Sequence, residues 1–367
     1  VSPAQLAAYL ISSGFSGSGT PAYNVGMYVQ STDLNCLSSS AYCSTTTSTN
    51  NYFLCMQATF DGTNVTALSQ SDNCNVVLNQ NTSQYAYVAG YFQLLYRCTL
   101  NSNGTLNTCG LTPSSSVPWR YVFDTAFATI NSTEYAYVSA TSNDGLFTGL
   151  IYQCKINTDG TLSTCAATLT AGSQLWTSPN SVTFATVNQT AYAYVTDRTN
   201  NFYQCTLDNN GGFNACAITP SSGAPWTQTY GTAFGTINST QYAYVTDTSN
   251  VFQCTLDATG KINTCVTTPS TKPTSWHPKG LSVTTVNGTQ YAYVTDSASS
   301  GNIYQCTLNT NGSLNTCTAT PSINPPAWSP NNVSFAIVEG TQYAYVSDSS
   351  NDKAYRCTLN NNGSFNT

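Results

Sequence analysis

Charge is what this sequence has least of. Asp, Glu, Lys and Arg make up only 7% of its 367 residues, against roughly 25% in typical globular proteins. Its surface must therefore be built largely from Ser, Thr, Asn, Gln and Tyr. With nine basic residues, fifteen acidic ones and a net charge of −6, there is no basic patch to displace counterions from phosphates. That argues against nucleic acid and anionic membranes as partners. No apolar run approaches the ~18 residues of a membrane helix, and the N-terminus lacks a basic stretch followed by an apolar core. The expectation is that any signal peptide has already been removed. Histidine is almost absent: His277 stands alone in SWHPKG, with no cysteine or serine nucleophile motif to serve as base for. There is no G-x-S-x-G, no phosphate-cradling glycine loop and no dense acidic cluster. No cofactor or catalytic residue is expected, although separate blades of a propeller could still gather Asp and Asn around a Ca²⁺ ion.

Cysteine, by contrast, occurs fifteen times. Without a single C-x-x-C pair, zinc sites are a poor reading and disulfides a better one, which implies an oxidising, extracellular or cell-surface location. Cys98/Cys109, Cys154/Cys165, Cys205/Cys216, Cys254/Cys265 and Cys306/Cys317 are each separated by 11 residues, with a glycine midway at Gly104, Gly160, Gly211, Gly260 and Gly312. The dipeptides there are mostly Asn-Gly or Asp-Gly. These favour two-residue hairpin turns, in which both positions need positive φ. Folding about such a turn sets the cysteines opposite each other, within or near disulfide range. Cys36 and Cys43 are expected to close a small loop, and Cys55 and Cys74 a longer hairpin. Cys357, folded about Asn362-Gly363, would need its partner at position 368. The expectation is a chain continuing past Thr367, with pairing to a second chain as the rarer alternative.

The tetrapeptide YAYV begins at Tyr85, Tyr135, Tyr192, Tyr242, Tyr291 and Tyr343, and a divergent copy, Met27-Tyr28-Val29, lies upstream. Period-two alternation marks these segments as strands. A period of about 50 residues with several short strands per unit indicates propeller blades. One unit parses into Val333–Val338, Gln342–Ser347, Ala354–Leu359 and a strand from Ser364 onward. Large and small side chains on opposite strand faces would let neighbouring blades interdigitate. Segments such as YAYVTD (192–197, 242–247) and QYAYVTDSASSGNIYQCTLNTNG (290–312) resemble the YVTN-type repeats of seven-bladed β-propellers, the superfamily that includes lactonase-like proteins. That resemblance implies an all-β, seven-bladed propeller of four-stranded antiparallel blades over 23–367. The first blade would be divergent, with an insertion at 30–51, and blades two to seven regular. It is weakly informative about activity, because propellers host many functions. The cysteine pair in nearly every outer hairpin departs from the family pattern and favours secretion and durability.

Residues 1–22 fall outside the repeat. Ser2-Pro3 before QLAAYL reads as a helix start, with a closing or exchanged strand as the alternative, docked on its own propeller or on a neighbour's.

Strand order sorts the loops onto two faces. Turns between strands one and two carry Asn81, Asn131, Asn188, Asn238 and Asn287, and the hairpin tips on the same face carry Asn103, Asn311 and Asn362. All eight lie in Asn-x-Ser/Thr sequons, as do Asn64 and Asn332, so all ten are candidate glycosylation sites. Against that stands the plain need of turns for Asn, Gly, Ser and Thr. The opposite face carries Trp119, Trp176, Trp226, Trp276 and Trp328, once per blade, with Asp197, Asp247, Asp296 and Asp348 ending second strands there. Exposed, this set would form a sugar-binding platform; buried, it would be wedges between blades and ties for loop backbone. The leading functional expectation is a secreted, non-enzymatic structural or assembly subunit of an extracellular layer or fibre, self-associating through a surface with little charge repulsion. An adhesin binding an extracellular glycan through the Trp/Asp face is the alternative, and a lactonase-like hydrolase the third reading.

Overall fold

The computed structural model describes residues 22–30, 51–60, 65–70, 85–90, 94–113, 117–142, 148–168, 176–220, 223, 225–297, 301–321, 328–350 and 353–366. The expectations for residues 1–21, the 31–50 stretch of the insertion, Cys36, Cys43, Cys74 and hence the Cys55 pairing, Asn64 and Asn81 lie outside them. The chain divides into two units, Val1–Asn81 and Thr82–Thr367. In the first, Ala22–Gln30, Asn51–Phe60 and Val65–Gln70 form a three-stranded antiparallel sheet in chain order.

The second unit holds six blades, numbered here by residue span as one (85–111), two (119–167), three (179–218), four (232–268), five (278–319) and six (330–366). Blades two to six each have four antiparallel strands in sequential order, and blade one has three among the described residues. Blade four is typical, with strands Thr232–Ile237, Thr240–Thr246, Val251–Leu256 and Ile262–Thr268. The expected count of seven is corrected to six. The physical reason is closure: Tyr345 of blade six donates its hydroxyl to the Gly104 carbonyl of blade one at 2.8 Å, so the ring completes without the divergent upstream copy.

The strand pattern explains the core. In the second strand of blade four, Ala243 and Val245 pack with Trp226, Phe252, Cys254 and Ile262 against Tyr194 and Phe202 of blade three. From the opposite face of the same sheet, Tyr244 and Val251 join Trp276, Leu281, Ala292 and Val294 of blade five. Each core therefore lies between blades, small residues on one sheet facing large ones on the next, as the alternation predicts.

The five hairpin staples form as the spacing predicts. Cys98–Cys109, Cys154–Cys165, Cys205–Cys216, Cys254–Cys265 and Cys306–Cys317 are disulfides between directly opposed residues of third and fourth strands, Cα to Cα 4.0 or 4.1 Å. In blade one, where three strands are described, the bond joins the last two. The two sulfurs of a pair have unlike surroundings. Cys98, Cys154, Cys205, Cys254 and Cys306 are buried, whereas Cys109 is exposed and Cys165, Cys216, Cys265 and Cys317 are half-buried on the outermost strand. The staple thus fixes an outer strand to a packed one. Cys357 is a buried free thiol within the described residues, and burial pushes its pKa up to about 11.

The turn chemistry differs from expectation in an informative way. At the hairpin tips only glycine has positive φ, for example Gly104 at 78°. Gly104 N–H bonds Asn101 O, and Asn101 N–H bonds Thr105 O. This is a type I turn followed by a left-handed glycine, not a two-residue turn. The two-residue turns with paired positive φ join strands one and two instead, as at Asn131 (48°) with Ser132 (64°) and Asn238 (49°) with Ser239 (66°).

Candidate functional site

On the loop face, the five tryptophans are interior residues, 0 to 6% exposed. Each indole precedes or opens the first strand of its blade and fills the gap to the previous blade. Trp119 meets Tyr152 edge-on at 5.5 Å between centroids, and Trp276 stacks on Tyr304 at 5.4 Å. Trp176, Trp226 and Trp328 are packed in the same way against Tyr203, Phe252 and Tyr355. No indole face is left to stack on a sugar, which corrects the platform expectation: an aromatic this large is what seals the wedge between diverging sheets.

The four aspartates are also buried. Three of the carboxylates tie the end of the second strand to the start of the first. Asp197 accepts from Thr177 N–H at 2.7 Å and from Ser178 N–H at 3.2 Å. Asp296 accepts from His277 N–H at 2.9 Å, and Asp348 from Ser329 N–H at 3.1 Å. Asp247 instead holds its own turn, from Ser249 N–H at 2.8 Å and Asn250 N–H at 2.7 Å, with a longer reach to Thr227 N–H at 3.4 Å. These are loop clamps built from charge-assisted bonds.

On the opposite face the repeat has a purpose the sequence reading missed. Three consecutive carbonyls of a hairpin tip accept one hydrogen bond apiece from the preceding blade. From blade two, Asn131 Nδ2 donates to Asn209 O (2.7 Å), Gln153 Nε2 to Asn210 O (2.6 Å) and Tyr137 Oη to Gly211 O (2.8 Å). From blade four, Asn238 Nδ2 donates to Thr310 O (2.8 Å), Gln253 Nε2 to Asn311 O (2.6 Å) and Tyr244 Oη to Gly312 O (2.6 Å). Blade three repeats it through Asn188, Gln204 and Tyr194, and blade five through Asn287, Gln305 and Tyr293.

Glycine is required at the tip because the tyrosines approach so closely. A Cβ on Gly312, at φ 79°, would sit 2.7 Å from Tyr242. Burial pushes the pKa of the donor tyrosines upward, Tyr87 to about 12 and Tyr137, Tyr194, Tyr244 and Tyr293 in the same direction.

The interfaces on either side of blade one use a variant. In blades one and six the glutamine is replaced by Arg97 and Arg356, whose guanidinium groups lie 4.9 and 5.0 Å from the Tyr85 and Tyr343 ring centroids. They donate to Asp159 O and Asn103 O. Glu339 stands in blade six where four of the other blades have the turn asparagine.

The sequons therefore divide. Asn131, Asn188, Asn238 and Asn287 commit their amide nitrogens to the neighbouring blade. Asn103, Asn311 and Asn362 are exposed at the tips and use the amide oxygen, which accepts from the backbone and hydroxyl of the +2 residue. Asn332 lies in a first strand, half-buried, its Oδ1 accepting from Val333 N–H. A signal for the latch was present in the sequence, since each turn asparagine is matched by a glycine tip one blade on. Its partner lies some 70 residues away, so no local window contains both.

No family model matches the chain, and no curated protein matches it. Solved structures do. A protein assigned as a 6-phosphogluconolactonase from Bacteroides uniformis aligns with a TM-score of 0.50 at 15% identity, over 78% of this chain and 82% of that one. A chain of the nidogen/laminin complex aligns with a TM-score of 0.51 at 12% identity, over 75% and 89%. A GH43_1 enzyme from Xanthomonas citri aligns at 0.48 and 13% identity, over 68% and 92%. At these identities the likeness concerns the propeller fold.

Proposed function

We propose that this chain is a non-enzymatic β-propeller of the cell surface or extracellular space, serving as a structural subunit that associates with copies of itself. The observation that carries this reading is the use made of the repeated polar residues. The Tyr, Gln, Asn and Asp that recur blade after blade are spent on gripping the next hairpin or clamping a loop, and five of the hairpins are closed by a disulfide. Disulfides in that number suit an oxidising, extracellular environment.

The outermost strands supply a surface for association. Leu106–Leu111, Leu162–Ala167, Phe213–Ile218, Ile262–Thr268 and Leu314–Ala319 contain no charged residue. Leu111, Ile218 and Val266 are about half exposed on them. Sheet edges are ordinarily blunted by charge, proline or bulges; these carry a bulge near the hairpin turn and, in four, a proline just past the strand, but no charge. Sedimentation and electron microscopy of the whole chain test the proposal. Ordered oligomers that are weakened by Val266→Lys with Ile218→Lys, at unchanged melting temperature, are expected. Dispersed monomers at high concentration, together with turnover of lactones when the protein is incubated with them and divalent metal, would replace this reading with the hydrolase one.

A further inference from the structure

The six hairpin tips share a backbone but not a chemistry. In blades five, six and one they read NTNGS (309–313), NNNGS (360–364) and NSNGT (101–105), each with an Asn-Gly-Ser/Thr sequon at its third position. In blades two, three and four they read NTDGT (157–161), DNNGG (208–212) and DATGK (257–261), with a carboxylate and no sequon. Because Tyr345 of blade six grips the Gly104 carbonyl of blade one, the three sequon tips are consecutive in the ring, and so are the three acidic ones.

The turn itself does not call for an amide at the third position. Asp159 Oδ1 accepts from Thr161 N–H at 3.0 Å and from its hydroxyl at 2.6 Å. Asn103 Oδ1 accepts the same pair from Thr105 at 3.0 and 2.7 Å, and Asn311 and Asn362 accept it from Ser313 and Ser364. Asn and Asp are thus equivalent in the turn, and what distinguishes them is the amide nitrogen. In all three asparagines that nitrogen makes no hydrogen bond among the described residues, and all three residues are exposed. The backbone beneath them is fixed, since their carbonyls accept from Arg356, Gln253 and Gln305 of the preceding blades. An exposed sequon with a free nitrogen meets the steric and chemical needs of an N-glycosylation acceptor. The turn asparagines between first and second strands do not meet them. Asn131, Asn188, Asn238 and Asn287 hold their nitrogens 2.7 to 3.0 Å from a carbonyl of the next blade, so a sugar there would push against the neighbouring tip and open the interface.

We infer that Asn103, Asn311 and Asn362 carry N-linked glycans, which coat the tips of blades five, six and one and leave the carboxylate tips of blades two to four bare. In the transfer, the amide nitrogen bonds to the anomeric carbon of a sugar activated as a lipid-linked pyrophosphate. The carbon–oxygen bond to the pyrophosphate breaks, the pyrophosphate leaves with that electron pair, and the amide gives up one proton. The inference goes beyond the structural reading above and shares with it only the oxidising, extracellular compartment.

Secretion of the whole chain from a eukaryotic cell, followed by mass spectrometry of its intact peptides with and without peptide-N-glycosidase, tests it. Glycosidase-sensitive hexosamine-containing mass is expected on Asn103, Asn311 and Asn362 and is expected to be missing from the peptides of the four turn asparagines. Asn103→Asp, Asn311→Asp and Asn362→Asp combined should abolish that mass at the tips. By keeping the oxygen contacts seen at Asp159, the combined variant should still be secreted with the same five disulfides. The map of the unaltered chain decides the matter even if that variant fails to fold. Unmodified asparagine at all three tips, or occupancy of the turn asparagines equal to that of the tips in the secreted protein, would overturn the inference.

Discussion

At the scale of the residue, Asn238 shows how two requirements coincide. Its φ of 49° suits Asn or Gly, and its amide reaches the next blade. Asn238→Ala should therefore cost about 1–2 kcal/mol, the sum of a lost hydrogen bond and a strained left-handed residue. Asn238→Gly keeps the backbone and should cost roughly half of that. Denaturant titrations of the pair check this, and equal losses would mean that the hydrogen bond alone matters. The latch tyrosines make a second prediction. Their folded pKa values lie above the ordinary 10, so the folded state retains phenolic protons that the unfolded chain has released. Stability from these groups is complete below pH 10 and is lost as pH rises through their raised folded pKa values, about 12 for Tyr87. The last of the 25 tyrosines to ionise should thus do so together with the loss of circular dichroism in alkali; complete tyrosinate formation in a still-folded protein would contradict it.

At the scale of the element, the stapled hairpin was largely legible in sequence. The 11-residue cysteine spacing and the central glycine determined the pairing, because opposed positions of a hairpin must be nearly equidistant from its turn. Which sulfur faces the core was not legible from spacing: Cys98 is buried and Cys109 exposed because one lies on an inter-blade strand and the other on the rim. The parse of blade six at 333–338, 342–347 and 354–359 falls within the observed Pro330–Val338, Thr341–Asp348 and Lys353–Leu359. The turn type was hidden too. Asn-Gly serves both a two-residue turn and a type I turn ending in left-handed glycine, and the lone positive φ at Gly104 distinguishes them. Tryptophan was ambiguous for a related reason, since one indole per blade satisfies either a wedge or a platform and burial decides. Removing a staple with Cys254→Ser and Cys265→Ser should cost about 2–3 kcal/mol through the freed loop. The tip of that hairpin keeps its own grip from Asn188, Gln204 and Tyr194 of blade three, so faster hydrogen exchange should be confined to residues 254–265. Exchange rising equally in all blades would show that the staples act collectively.

At the scale of the whole molecule, repeat counting failed where geometry succeeded. Seven copies of a motif can be counted in the sequence, but the number of blades in the ring is set by which last copy reaches which first one, and that depends on blade width and twist. Tyr345 reaching Gly104 makes the number six. The closing interface has Arg356, which donates to Asn103 O, in place of a glutamine, and Glu339 in place of the turn asparagine, so its grip rests on the Arg356 and Tyr345 bonds. The most direct test compares Tyr345→Phe with Tyr244→Phe in thermal denaturation of the full chain. A closed ring of six predicts that both lose about 1–2 kcal/mol, the worth of a buried hydrogen bond left half-made. Wild-type stability in Tyr345→Phe beside a destabilised Tyr244→Phe would mean that the sixth blade does not meet the first.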